Sequence, residues 1–470
     1  MKIFQFLFLA SVAFLTTQDV SATDITWKLD AVSSLWTDFN NWVPSEVPGL
    51  DDRAIFGVSN ITTINSPGTL SVGGVVFRPE ASAYTIAPNR EISMSFYGDV
   101  INKSAFTQHF TLVTEHAFSF HDSANAGSNV LFTCPTICGV NFFENSKAGT
   151  AAFDCGAFAG VSFYNDANAD HAVVNLNAGG AHVRFFGNSS GGRADVIAAA
   201  SGSVLFFDDS DGDEVRIQIS GSAILTLYYR NLPGTRIGSL EGDGIVSLGS
   251  AGGGRNLTIG KNNLSTTFSG IIDDDGLGGS ITKIGTGTLV LTAANTYTGD
   301  TIVKHGILVV DNTVGSATGT GRVRAEGATL AGTGVITGAV TIGRGIGGRK
   351  SYLSPGDPNE VGTLTTESLL TFNPSGSYNY DFDSDAALAD DVLADGVTID
   401  PGAEFTLNDR GAGVLPQGIV LTAISNTSAN PISGIFSNLP DGAIVNVNGN
   451  NLQASYSGGD GNDLTLTVVP

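Results

Sequence analysis

Gly187-Asn-Ser189-Ser-Gly191 has the G-x-S-x-G spacing that presents a serine nucleophile in many hydrolases. That chemistry needs a strand, a sharp turn and a helix around the serine, with a base brought in from elsewhere. Asp208, Asp209, Asp211 and Asp213 offer oxygen ligands at a calcium-like spacing. Gly458-Gly-Asp-Gly-Asn-Asp463 matches a single unit of the calcium-binding G-G-x-G-x-D pattern. Asp273, Asp274 and Asp275 form the acidic run from which a polysaccharide lyase or hydrolase would draw its carboxylates. The six histidines form no H-E-x-x-H pair, and no Walker phosphate loop is present.

Each of these groups also has a plainer reading. Asn, Asp, Ser and Gly dominate tight turns because they tolerate unusual backbone angles and bond their own backbone. A calcium roll needs consecutive nonapeptides, and this chain has one. No acidic or basic partner can be assigned to Asp273–Asp275 in neighbouring segments. A non-enzyme with no obligatory cofactor is therefore expected. Calcium at Asp208, Asp209, Asp211 and Asp213 is the one metal worth testing.

What must position these residues follows from composition and repeat. The chain has 470 residues, 61 of them glycine, and a net charge of −23. Such an acidic balance excludes nucleic acid as a partner, since phosphate binding needs a cationic face. The basic residues Arg344, Arg349 and Lys350 read as a solvated loop. Lys2, the apolar run Ile3–Leu15 and the small residues Val20-Ser-Ala22 read as an export signal. No later apolar run is long enough for a membrane-spanning helix.

A repeat organises the middle of the chain. Phe118-Ser-Phe120-His121-Asp122, Val140-Asn-Phe142-Phe143-Glu144, Val161-Ser-Phe163-Tyr164-Asn165, Val183-Arg-Phe185-Phe186-Gly187 and Val204-Leu-Phe206-Phe207-Asp208 start at steps of 22, 21, 22 and 21. Met94-Ser-Phe96-Tyr97 is a degenerate earlier copy. Each copy reads as a strand, a polar turn and a second strand. About 21 residues make one circuit of a narrow solenoid whose coils pair as parallel strands ~4.8 Å apart.

Stacking then assigns positions. Phe120, Phe142, Phe163, Phe185 and Phe206 form an internal column, and the serine motif falls in a turn. Strict alternation would turn His121, Phe143, Tyr164, Phe186 and Phe207 outward as a strip able to hold a glycan or a protein surface. A bend that tucks these rings inside is the favoured alternative, because long apolar strips are rarely left exposed. Cys134 and Cys155 are equivalents 21 residues apart. A buried thiol ladder, a Cys134–Cys155 bridge and a Cys134–Cys138 bridge all remain open.

Further along, Gly285-Thr-Gly-Thr-Leu289, Asn295-Thr-Tyr297-Thr-Gly299 and Gly306-Ile-Leu-Val-Val310 closely resemble the autotransporter-associated β-strand repeat of bacterial passenger domains. Leu330-Ala-Gly-Thr-Gly334, Leu353-Ser-Pro-Gly356 and Tyr456–Asp463 resemble that family's later coils and terminal rung. Trp36-Thr-Asp-Phe-Asn-Asn-Trp42 resembles its N-terminal cap. The resemblance implies an all-β, right-handed parallel β-helix with ~21–22-residue coils, exposed outside a bacterial cell. No set of strands sufficient for a translocator barrel follows residue 350, so self-secretion is not expected.

The expected organisation is a signal at 1–22, a β-rich N-terminal cap at 23–93 and a coil-repeat solenoid at 94–230. The autotransporter-associated repeat region at 231–345 and C-terminal coils with a cap at 346–470 complete it. About 20 coils would make a rod of very roughly 100 Å. The expected function is a non-catalytic, structural or adhesive protein, secreted or at the cell surface, with extracellular glycans or surface proteins as partners and self-association open. The alternative is a carbohydrate-active β-helix enzyme using the clustered Asp residues.

Overall fold

The computed structural model describes residues 22–88, 93–113, 115–227, 230–231, 233–249, 252–356 and 360–470. The export signal expected at 1–22 thus lies outside the described residues except for Ala22. The chain winds as a parallel β-solenoid whose strands alternate buried and outward residues, as in Gly139–Phe142 and Arg216–Ile219. The only helical element among the described residues is a 3-10 turn at Phe39–Asn41. No helix among them is long and apolar enough to cross a membrane.

Three faces define the coil. Face A runs through about 14 turns, from Gln108–Thr111 through Thr288–Leu291 to Glu404–Asp409. Face B stacks ten strands from Leu70–Val72 to Ile271–Asp273. Face C is a short parallel sheet of Arg53–Phe56, Gly74–Phe77 and Val100–Asn102 near the N-terminus, and is a sheet again from Gly234–Ile237 to Val397–Ile399. In the repeat region the third side is a corner held by single bridges linking Asn125, Lys147, Asn168, Ser190 and Asp211. Side-chain oxygens of Asn125, Asn168 and Ser190 accept the N–H two residues on, closing each corner.

Fourteen rungs at ~4.8 Å make a stack of roughly 70 Å, shorter than the ~100 Å expected from uniform coils. Coil length varies along the chain. Phe268 stacks on Gly242 after 268 − 242 = 26 residues and Leu308 on Leu289 after 308 − 289 = 19, and the coils then widen until Phe405 stacks on Tyr378 after 405 − 378 = 27. The ends also take chain. Trp27, Trp36, Trp42 and Phe56 are buried together at the N-terminus, where Trp42–Val43 runs antiparallel to Asp24–Trp27. Antiparallel strands Asn450–Gly458 and Asp463–Val469 pack beside Val420–Asn426 at the other end, and Gly458–Asp463 is simply their connecting turn.

Like residues sit above like. Phe96, Phe120, Phe142, Phe163, Phe185 and Phe206 are fully buried, with successive centroids 4.6 to 5.1 Å apart and planes within 10°. Phe110, Phe132 and Phe153 form a shorter facing column on face A. The columns meet edge to face, with Phe142 and Phe153 at 5.8 Å, the arrangement that aromatic quadrupoles favour.

Ser189 lies in a turn between two strands, fully buried, and its Oγ has no hydrogen-bond partner. Ser146, Ala167 and Ser210 are its equivalents, so the place requires a small residue rather than a hydroxyl. Cys134 is paired with Cys138 across a bend, with Cα atoms 5.6 Å apart. Cys155 is free, buried and directly in register with Cys134. Burial, with help from Asp154, pushes its thiol up to about 12, so it is inert at neutral pH.

Replacing Phe185 by Ala should cost about 3–5 kcal/mol, read as a lower denaturation midpoint by circular dichroism. Replacing Ser189 by Ala should leave the midpoint unchanged or raise it, because a buried unpaired hydroxyl is removed. A large loss of stability with Ser189→Ala would contradict this assignment.

Candidate functional site

The residue after each core Phe lies outside the column. His121, Phe143, Tyr164, Phe186 and Phe207 are half-buried, and Tyr97 ahead of them is 38% exposed. The favoured expectation that a bend would tuck these rings into a second core column is corrected. The chain reverses only after this residue, so the ring stays on the outer side of the strand end. Successive rings from Tyr97 to Phe207 stack at 4.5 to 5.1 Å with planes within 14°.

That stacking determines what the strip can offer. Each ring between the first and last has both faces covered by its neighbours, so it presents its edge to solvent. A sugar ring stacks on an aromatic face, and those faces are occupied here. The strip is instead a ridge of ring edges with the Tyr97 and Tyr164 hydroxyls on it, suited to packing against an apolar protein surface.

The next position bends the chain. Asp122, Glu144, Asn165, Gly187 and Asp208 all have positive φ, between 48° and 63°. Asn, Asp and Gly tolerate this region best, and Glu144 is the exception. Side chains here also tie adjacent coils. Glu144 accepts the Asp122 N–H at 3.2 Å, Asn165 the Glu144 N–H at 3.2 Å, and Asp208 the Gly187 N–H at 3.0 Å. A row of carboxylates and amides therefore flanks the ring edges. Tyr97 was missed as a strip residue on sequence grounds, although its place in the degenerate copy Met94–Tyr97 was the signal.

The proposed calcium ligands do not converge. Asp208 accepts the Gly187 N–H, Asp211 is ion-paired with Arg236, and Asp213 with Lys261. No group of three or more metal-binding side chains is found among the described residues. The basic residues expected in a solvated loop also have partners: Arg344 meets Glu326, Arg349 meets His305, and Lys350 meets Glu404.

Asp274 is fully buried, and its carboxylate accepts five hydrogen bonds, from Gly276, Gly278, Gly279 and Thr298 N–H and from Thr298 Oγ1. Burial alone would raise this carboxyl, but the bonds outweigh it and hold it below the usual range. Asp273 moves the other way, through burial first and then repulsion from Asp275 and Asp274. Asp274 is thus a strut between coils and is unavailable as an acid or nucleophile.

Its neighbours have the same kind of role. Asn295 accepts the Ile272 N–H at 2.8 Å and donates to Ala317 O, spanning three coils. Buried Lys283 donates to the carbonyls of Ile284, Gly285 and His305, and burial lowers its ammonium to about 8. Gly285 has φ +70°, and a Cβ there would collide with the Gly260 carbonyl.

Farther along, Asp390 is fully buried, accepting the N–H groups of Gly362 and Asp381. Burial raises its carboxyl to about 7 despite those bonds.

Residues 281–310 match the family model described as Passenger-associated-transport-repeat. This segment holds Lys283, Gly285 and Asn295, so the matched pattern coincides with the struts between coils. An extracellular serine protease of Serratia marcescens is 28% identical over 165 residues, covering 34% of this chain and 14% of that protein. The adhesin BmaC autotransporter of Brucella suis biovar 1 (strain 1330) is 39% identical over 93 residues, covering 20% of this chain and 3% of that one. The chain therefore spans a small fraction of either relative's length.

Asp274→Asn should lower the unfolding free energy by roughly 2–4 kcal/mol, read as a lower denaturation midpoint, since buried donors lose their charged acceptor. Asp275→Asn, at an exposed position, should be nearly neutral. For Asp390 the folded value lies above the unfolded ~3.9, so the folded state holds its proton more tightly. Its contribution to stability is complete below about pH 4 and is lost as pH rises through about 7. The melting temperature of the wild type relative to Asp390→Asn should therefore fall between pH 4 and pH 7, and a flat difference would refute the assignment.

Proposed function

We propose that this chain, a β-solenoid carrying a passenger-associated-transport repeat, works as an exported, non-catalytic passenger-like rod that adheres to other surface proteins through its aromatic strip. The observation that carries the reading is the six-ring stack from Tyr97 to Phe207. Packing of Phe rings inside would hold the coils together without it, yet a second aromatic row is laid along the exterior. Covered ring faces favour a protein surface over a stacked sugar at this strip. The adhesin relative supports an adhesive role, and the N-terminal signal read from the sequence supports export.

The glycan-cleaving alternative is the weaker reading. Asp274, the middle of its three carboxylates, is consumed by five structural hydrogen bonds, and Ser189 has no access to solvent. Retention of beads coated with the full chain on a panel of immobilised extracellular proteins and polysaccharides tests both readings. Replacing Phe143, Tyr164 and Phe186 together by Ser should reduce retention on a protein surface at least tenfold with the β-sheet spectrum intact. Unchanged retention would remove the strip as the adhesive surface. Cleavage of any panel polysaccharide or protein would overturn the non-catalytic assignment.

A further inference from the structure

Arg230 sits where the bridged corner of the repeat ends and face C begins, bridged to Asp208. It is 4% exposed, yet among the described residues its guanidinium makes only two long hydrogen bonds, Nε to Gly234 O at 3.2 Å and Nη1 to Ser210 Oγ at 3.3 Å. Among the described residues no carboxylate lies within ion-pair distance of it. Asp211, Asp209 and Asp208 are all near enough to attract it, yet none closes an ion pair with it: Asp211 and Asp208 bond Arg236 and the Gly187 N–H, and Asp209 points to solvent. A buried cation without a carboxylate partner is costly, and proteins ordinarily pair it.

Beside this guanidinium lies a cavity of about 400 Å³, lined in part by Asp209, Thr235, Arg236, Asn256 and Thr258. That size falls within the ~300–1,000 Å³ typical of small-molecule sites and exceeds what a bare carboxylate fills. The rim supplies hydrogen-bond acceptors. Asp209 is exposed and its carboxylate accepts no hydrogen bond within the described residues, while Asn256 Oδ1 accepts the Thr258 hydroxyl at 2.9 Å, leaving one lone pair there and the Thr258 oxygen as further acceptors. Arg255 donates to Arg230 O, so Arg230, Arg236 and Arg255 balance Asp208, Asp209 and Asp211 in an otherwise strongly acidic chain.

We propose that this cavity binds a hexuronate, an acidic sugar unit whose carboxylate seats on the Arg230 guanidinium and whose hydroxyls donate to Asp209 and to the Asn256 and Thr258 oxygens. A planar guanidinium matches a carboxylate through paired N–H donors. A run of hydroxyl donors on the same ligand distinguishes a sugar from a peptide carboxylate, which lacks them. The site is separate from the aromatic strip and does not rest on the adhesive role proposed for it.

Calorimetric titration of the full chain with galacturonate, glucuronate, galactose, glucose and succinate tests the assignment. A hexuronate should bind at least tenfold more tightly than its neutral parent sugar and than succinate. Arg230→Gln should weaken it at least tenfold, and Asp209→Asn at least threefold, with unchanged circular dichroism. Should Arg230→Gln fail to fold, Asp209→Asn and the ligand-induced rise in wild-type melting temperature carry the test alone. Replacing Phe143, Tyr164 and Phe186 by Ser should leave hexuronate binding intact even if bead retention disappears. The proposal is overturned by equal binding of neutral sugars, by succinate binding as tightly, by insensitivity to Asp209→Asn, or by loss of binding in the strip variant.

Discussion

The rest of this structure depends on the in-register parallel ladder. Once coils pair residue over residue at ~4.8 Å, every side chain meets its own equivalent above and below. Phe stacks on Phe, and Cys155 falls under Cys134, because the backbone hydrogen bonds permit no other neighbour. The ladder makes one coil's choice of residue a constraint on the next. A coil cannot bury its apolar face by itself, so stability is shared between neighbours, and the open ends need separate closure. The Trp27, Trp36 and Trp42 cluster and the C-terminal antiparallel strands supply it.

The same constraint applied outside the core produces the aromatic ridge. Stacking that stabilises Phe143, Tyr164 and Phe186 against each other also covers their faces. The strip thereby gains rigidity and loses the surface on which sugars pack. Beside it, the side chains of the left-handed residues Glu144, Asn165 and Asp208 accept backbone N–H groups of the preceding coil, so the edge of the rod is held by hydrogen bonds as well as rings.

Polar residues inside the later coils follow a related logic. Where the chain leaves a strand to bend toward the next face, backbone groups lose their ladder partners. Asp274, Lys283 and Asn295 stand at such bends and supply the missing acceptors and donors, each bridging segments far apart in sequence. Residues that look like chemistry in the sequence are thus structural in the fold. Arg230 is the reverse case, a buried charge whose surroundings leave it incompletely satisfied.

The sequence by itself determined the solenoid, since a 21–22-residue period with Phe at a fixed place allows one pairing register and one inner face. It also placed Ser189 in a turn, because the G-x-S-x-G match coincides with the repeat's polar turn and the equivalent Ala167 has no hydroxyl at all. Only the tertiary structure decided whether the fourth-position rings face in or out, because that turns on where the backbone bends, and alternation alone is compatible with either. Coil widening after Leu308 was illegible for a similar reason: the period fades there while the ladder persists. The partners of Asp274 and the incomplete pairing of Arg230 were also hidden, since they are properties of groups brought together from different coils, and no local pattern of residues encodes that distance.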